Sequence, residues 1–457
     1  MTEQMISVNP ANGEVLNTYQ SYDTKKTEKI LLQTHKTQQE WTKMSHKERG
    51  VVLKKIAKQI RADKEELAIL ATLEMGKPIQ QSRDEVEKCA KTFDFFATEG
   101  PKMLANEIIA TDARKSYISY QPLGVVLAIM PWNFPYWQVF RCMAPILMGG
   151  NAMILKHASN VSGCALAIEQ VMIKSGAPKG LFQTLLLPSS QVSEIIAHPT
   201  IAAVTFTGST AAGSKVAEAA GKHLKKQVLE LGGSDAYVIL EDADMDTAID
   251  TCVNARLVNS GQSCVAGKRF VVVKSIRKEF EKRFVEKMKQ ASYGDPMDTN
   301  SKIGPMARID LRVQLHEQLL KSVAKGAKLL CGGYIPEGKG AFYPPSVLTN
   351  VKKGMPAYDE EMFGPVAAII EAKDEADAMR IANDSEYGLG GAIFSKNRAK
   401  AERLAATEMQ AGNCFVNAQV HSDPRMPFGG VKNSGYGREL GIFGIREFVN
   451  VKSVFIQ

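Results

Sequence analysis

Two doubly wound α/β domains, each on a parallel sheet, are the architecture this sequence predicts, and two alternating series of apolar runs and amphipathic stretches predict it. In the first series, residues 125–130, 152–155, 202–206 and 227–231 read as strands, with helices at 161–174 and 210–221 between them. In the second, strands at 236–240, 269–273 and 366–370 alternate with helices near 246–258, 278–290 and 375–383. Strands that alternate with helical patterns in this way wind into parallel sheets.

The remaining elements follow in order. Residues 24–99 are helical in pattern, with Ile56, Ile60, Leu67 and Leu70 at helical spacing. Residues 108–120 mix β-formers with polar residues, and Gln121-Pro122-Leu123-Gly124 ends that stretch as a turn. Gly176 and Pro178 close the helix at 161–174. Residues 448–456 are strand-like and poor in charge, which fits them to pair with 108–120 or with another subunit. No internal repeat and no low-complexity linker interrupts the chain.

Composition narrows the function. A chain of 457 residues holds about two to four domains, and 44% apolar with 23% charged residues is an ordinary globular balance. The net charge of +8 is interleaved with acids, as in Lys278-Glu279 and Glu281-Lys282-Arg283, which describes solvated helix faces rather than a nucleic-acid surface. Seven cysteines without a CxxC pair suggest neither a disulfide framework nor a zinc site, so no metal is expected and a reducing compartment is. The N-terminus has no basic-then-apolar signal, and no apolar run approaches the ~20 residues of a membrane helix. A cytoplasmic protein is expected.

Three segments carry chemistry. Gly208-Ser209-Thr210-Ala211-Ala212-Gly213 lies between a strand and a helix, where glycines admit a phosphate and the helix N-terminus offers free N–H groups. It is neither GxGxxG nor a P-loop, since Ser214-Lys215 reverses the P-loop order, and alone it reads equally as a tight turn. Asn259-Ser260-Gly261-Gln262-Ser263-Cys264 sets one thiol in a Gly/Ser-rich stretch between a helix and a strand. A thiolate attacks carbonyls well, although a lone cysteine is more often structural. Glu230, in Leu229-Glu230-Leu231-Gly232-Gly233, sits among apolar residues at a strand end. A carboxylate there is either paired or held as a general base.

Six motifs in order resemble the aldehyde dehydrogenase superfamily: Pro131-Trp132-Asn133-Phe134-Pro135, Phe206-Thr207-Gly208-Ser209, Leu229-Glu230-Leu231-Gly232-Gly233, Gly261-Gln262-Ser263-Cys264, Glu361-Met362-Phe363-Gly364-Pro365 and Pro427-Phe428-Gly429-Gly430. The similarity runs over nearly the whole chain, Leu73-Glu74-Met75-Gly76-Lys77-Pro78 included. It implies two Rossmann-like domains: a cofactor-binding domain at 1–104 and 123–231, and a catalytic domain at 232–430. A small β oligomerisation element at 105–122 and 440–457 is implied with them, in a homodimer or homotetramer. It also implies Cys264 as nucleophile, Asn133 with the Cys264 backbone N–H as oxyanion hole, and Glu230 as the base for thioester hydrolysis. Trp132, Lys156, Gly208, Ser209, Gly213, Glu361 and Phe363 would line or contact a nicotinamide cofactor.

Cofactor and substrate choice rest on finer positions. NAD-preferring relatives commonly carry Glu three residues after the lysine equivalent to Lys156; here Ser159 stands there. A hydroxyl does not repel a 2′-phosphate and Lys156 attracts one, so NADP is expected, with NAD accepted, unless Ser159 only caps the next helix. Arg141 follows Asn133 by eight residues, a little over two turns if the helix starts at the 131–135 turn, so it can face an aldehyde tunnel. It matches an arginine of succinate-semialdehyde dehydrogenases, which the chain also resembles across Ser422-Asp423-Pro424-Arg425-Met426. A second arginine of some of those enzymes is replaced by Val258, which leaves Ser422 or His421 to share the carboxylate. The other reading of Arg141 is a structural ion-pair residue. Rival activities are a broad small-aldehyde dehydrogenase, a CoA-acylating semialdehyde dehydrogenase, which would tend to lack Glu230, and a non-catalytic binding protein.

Overall fold

The computed structural model describes residues 3–457, and within it the two alternating series become two separate sheets. The first has six strands in the spatial order Gly435–Tyr436, Lys226–Glu230, Ile201–Thr207, Val125–Met130, Ala152–His157 and Phe182–Thr184. All pairings are parallel except that of Gly435–Tyr436, which returns antiparallel to Lys226–Glu230. Every residue of Val125–Met130 and of Ala152–His157 is buried, as expected where helices cover both faces of a parallel sheet. Four helices, Thr24–Trp41, His46–Ala62, Lys64–Met75 and Ile79–Met103, occupy the helical region read from the sequence. Their apolar stripes join one core with this sheet.

The second sheet runs Lys328–Cys331, Ser346–Thr349, Val366–Ala372, Arg269–Val273, Ala236–Ile239, Gly390–Phe394 and Asn413–Val416, parallel but for the first pair. Its strands alternate strictly between two cores. Val238, Val271 and Ile370 face one; Tyr237, Ile239, Phe270 and Val272 face the other. The third sheet is small and antiparallel. Val449–Ile456 pairs along its whole length with Lys115–Pro122, from Val449 opposite Pro122 to Ile456 opposite Lys115, and Glu107–Ile108 adds a short third strand.

The first sheet reverses direction between Val125–Met130 and Ile201–Thr207: the next strands in sequence lie outward on opposite sides of this pair. At such a switch point the loops after the strands diverge and leave a crevice at the strands' C-terminal ends. The loops here are Pro131–Tyr136 and Gly208-Ser209. In the second sheet the segment before Arg269 brings Cys264 toward the same crevice. Among the described residues no helix is long and apolar enough to cross a membrane.

Candidate active site

The loop that carries Cys264 is held in a conformation few residues adopt. Asn259, Ser260 and Gly261 have φ of 52°, 56° and 75°, three consecutive left-handed residues. Such a turn persists only when its surroundings over-determine it. The Ser260 hydroxyl accepts from Gly304 N at 3.0 Å and Gln262 Oε1 accepts from Ala307 N at 2.9 Å. A Cβ on Gly261 would lie 2.3 Å from the Gly364 carbonyl carbon, so the Glu361–Pro365 motif closes over the turn and admits only glycine. Beyond it the buried Lys268 ammonium donates to the carbonyl oxygens of Ser263 at 2.8 Å and Cys264 at 2.6 Å, and pairs with Glu361 at 3.1 Å.

Asn133 reaches this loop from the opposite sheet. Its side-chain amide donates to Gln262 O at 3.1 Å, and its own carbonyl accepts from Asn259 Nδ2 at 2.6 Å. One of the two amide N–H groups of Asn133 remains for the cavity it lines with Cys264. The turn is braced from behind. Glu85 accepts from the backbone N–H of Tyr136 at 2.9 Å and Trp137 at 2.8 Å, and forms a buried ion pair with Lys77. The ring of His157 lies between two carbonyls, Nδ1 at 3.2 Å from Met130 O and Nε2 at 2.9 Å from Pro135 O. Burial keeps that imidazole neutral, with a pKa lowered to about 4.

Glu230 ends the strand Lys226–Glu230, opposite Thr207, and is only 2% exposed. Neither of its carboxylate oxygens has a hydrogen-bond partner among the described residues. Burial, with the neighbouring carboxylate of Glu439 adding to it, pushes Glu230 well above the ordinary range, against the pull of Arg141 and Arg438. Room for the carboxylate comes from Gly429, where a Cβ would fall 2.9 Å from Glu230 Oε1.

Arg141 does not stand where the sequence placed it. The helix begins at Trp137, not at the 131–135 turn, so eight residues from Asn133 are not two helical turns. The guanidinium is 2% exposed, ion-paired with Glu439, within 3.4 Å of Thr207 Oγ1 and 5.0 Å from the Phe428 ring centroid. It borders neither of the two large cavities near the thiol. The structural ion-pair reading of Arg141 is the one its surroundings support.

Trp132, Asn133, Gly208, Ser209, Cys264, Glu361 and Phe363 line one cavity of about 390 Å³ at the switch point. Trp132 and Phe363 meet edge to face at 5.8 Å across it. Ser209 caps the helix Thr210–Lys222, and Gly213 lies one turn in, against Leu231. Lys156 and Ser159 line a neighbouring cavity of about 380 Å³. Lys156 Nζ has only the Ser189 hydroxyl at 3.3 Å, and burial lowers its pKa. Ser159 makes no capping bond; the helix Ser162–Lys174 has its N-cap at Val161. Ser422 is buried and accepts from Lys88 Nζ at 2.9 Å, while His421 is exposed. A helix N-terminus for phosphate, an aromatic slot beside the thiol and an uncompensated lysine beside a free hydroxyl fit a phosphate-bearing dinucleotide.

Lys268, Asn259 and the Lys77–Glu85 pair were missed from the sequence. Lys268 left one signal, a lysine with Arg269 at the head of the apolar run Phe270-Val271-Val272-Val273.

Comparison with known proteins agrees with this geometry. The pattern of the Aldehyde dehydrogenase family matches residues 1–454. This chain belongs to that family. It is 46% identical over 450 residues to succinate semialdehyde dehydrogenase [NAD(P)+] Sad of Escherichia coli, covering 98% of this chain and 97% of the other. It is 44% identical to a probable succinate-semialdehyde dehydrogenase [NADP(+)] of Synechocystis, covering 98% and 99%. The crystal structure of succinic semialdehyde dehydrogenase from Streptococcus pyogenes in complex with NADP+ superposes with a TM-score of 0.97 at 37% identity, over 99% of each chain. The chain is therefore an aldehyde-oxidising enzyme on two parallel-sheet units with a small antiparallel sheet.

Burial raises the Cys264 thiol to about 12, against the opposing pull of Lys268 and Arg141. Only the thiolate is alkylated, and its fraction grows about tenfold per pH unit below the pKa. Alkylation of Cys264 by iodoacetamide, followed by peptide mass spectrometry without added cofactor, should keep rising through pH 9. A plateau near pH 7 would show a preformed thiolate.

Proposed function

We propose that the chain oxidises succinate semialdehyde to succinate with NADP, accepting NAD, through a covalent thioester on Cys264. The observation that carries this reading is the convergence of Cys264, Asn133 and Glu230, from two sheets, on one cavity wall and the space behind it. The Cys264 thiol gives its proton to solvent, the thiolate sulfur adds to the carbonyl carbon as the C=O π bond opens, and the oxyanion accepts from the free Asn133 amide N–H and the Cys264 backbone N–H. Trp132, Ser209, Glu361 and Phe363 would hold a nicotinamide cofactor, which would supply the acceptor for the hydride on the carbon attached to sulfur. Glu230 then takes a proton from water as the water attacks the thioester, and the Cys264 thiolate leaves as succinate forms.

The cofactor assignment rests on Lys156, Ser159 and the helix end at Ser209, with Glu361 and Phe363 at the nicotinamide ribose. Glu3 is the only carboxylate lining the Lys156 cavity among the described residues, and it is exposed. A 2′-phosphate there meets a cation and a hydroxyl. The relatives' names support the same choice. Hydrolysis rather than transfer to CoA is favoured by Glu230, whose unpartnered, desolvated carboxylate suits a base. The three-stranded sheet exposes Ile108, Val451 and Phe455, which supports its role in joining subunits of a dimer or tetramer. Seven free cysteines support a reducing, cytoplasmic setting.

Glu230→Gln keeps the shape of the side chain but cannot take a proton. Stopped-flow absorbance should show a burst of reduced cofactor near one equivalent and then little turnover. Because the folded pKa of Glu230 is raised, wild-type deacylation should fall as pH drops through a midpoint above the ordinary carboxylate value. Equal loss of burst and steady rate would place Glu230 in thiol activation instead.

Ser159→Glu should move the NADP-to-NAD ratio of kcat/KM toward NAD by about ten- to a hundredfold, the worth of one charged contact of roughly 1.5–3 kcal/mol. An unchanged ratio would remove Ser159 from cofactor choice.

A further inference from the structure

Behind the thiol lies a second cavity, about 610 Å³, lined by Phe134, Trp137, Lys88, Leu257, Val258 and Gln419 among others. It backs onto the cofactor cavity through shared chain segments. Asn133 lines the first and Phe134 the second; Cys264 lines the first, and Val258, six residues earlier, the second. The Asn133-Phe134 turn therefore stands between the two cavities.

Three lysines line that cavity: Lys287 is paired with Asp250, Lys302 is exposed at the rim, and Lys88 alone is both half-buried and without an anion among the described residues. Lys88 lies on the helix Ile79–Met103, with its ammonium 4.1 Å from the Trp137 ring centroid and donating to Ser422 Oγ at 2.9 Å. It forms no ion pair among the described residues, and burial, with Arg141 adding to it, lowers its pKa to about 8. The nearby acids are otherwise engaged. Glu85 pairs with Lys77, Asp423 pairs with Arg425 at 2.6 Å, and Asp84 accepts from Gln80 at 3.0 Å on the exposed rim. Cation–π contact and one hydroxyl orient the ammonium and leave donor capacity for the cavity.

We infer that Lys88, with the Ser422 hydroxyl beside it, is the site that binds the distal carboxylate of an acidic aldehyde and makes the enzyme selective for it. The inference rests on the proposed succinate-semialdehyde activity and assigns the recognition that Arg141, held by Glu439, does not provide. The carboxylate sits over the Trp137 edge of the cavity while the aldehyde end passes Phe134 to Cys264. The apolar walls at Leu257 and Val258 accommodate the methylenes between.

The test compares succinate semialdehyde with butanal, a neutral aldehyde of the same chain length, in wild type, Lys88→Met and Lys88→Arg. Lys88→Met keeps the stem and removes the charge. It should raise KM for succinate semialdehyde about ten- to a hundredfold with kcat little changed, and leave butanal kinetics as they were. Lys88→Arg should restore most of the difference, which a merely structural lysine would not do selectively. A wild type that prefers succinate semialdehyde, with Lys88→Met keeping the same preference, overturns the role of Lys88 and leaves the proposed substrate standing. A wild type without that preference overturns both.

Discussion

A single buried ammonium, that of Lys268, ties the reacting loop to the rest of the molecule. It draws in the carbonyls of Ser263 and Cys264 and the carboxylate of Glu361, and Glu361 in turn accepts from Gly233 N at 3.0 Å. Three segments far apart in sequence meet there: the nucleophile loop running into Arg269–Val273, the Glu361–Pro365 motif and the turn after Glu230. A buried cation without partners would be severely destabilising, so the site's geometry and the charge balance of the interior are one problem. The same cation draws down the thiol and the buried Asp235, although burial outweighs it at both and leaves Asp235 raised to about 7.

The interior around the thiol holds more acid than an apolar core tolerates, and the structure treats each carboxylate differently. Glu85 is neutralised by Lys77 and put to use as a cap. Glu439 is neutralised by Arg141 and anchored by the reciprocal backbone bonds between Phe428 and Glu439, both 2.7 Å. Glu230 alone is left without a partner. Isolation of one carboxylate beside two paired ones is how a single fold keeps one group available for proton transfer while the others stay fixed.

The local patterns in the sequence sufficed for the two sheets, because parallel strands buried on both faces leave unbroken apolar runs at 125–130 and 270–273. The stretch Gly208, Ser209 and Gly213 was legible as a strand-to-helix turn, and only the family resemblance marked it as a cofactor crevice. What did not read through was every decision made by a partner distant in sequence. Arg141 looked like a free cation because its acid, Glu439, is supplied by the chain near its C-terminus. Nothing in the sequence set Lys88 apart from other lysines, although Glu85, Lys88, Thr92 and Phe96 recur at helical spacing along the side of Ile79–Met103 that is turned inward. Its Ser422 partner arrives from a loop hundreds of residues later. Spacing reveals which face a side chain lies on; it does not reveal which charge waits there.

The central claim is that oxidation passes through an acyl group on Cys264, and its presence can be weighed directly. Wild-type enzyme mixed with succinate semialdehyde and NADP, quenched in acid within the first turnover and digested, should yield the peptide containing Cys264 heavier by one succinyl group. No other cysteine should carry it, and Cys264→Ser should show neither the adduct nor turnover. Product formed at the full rate with Cys264 unmodified throughout would contradict the account.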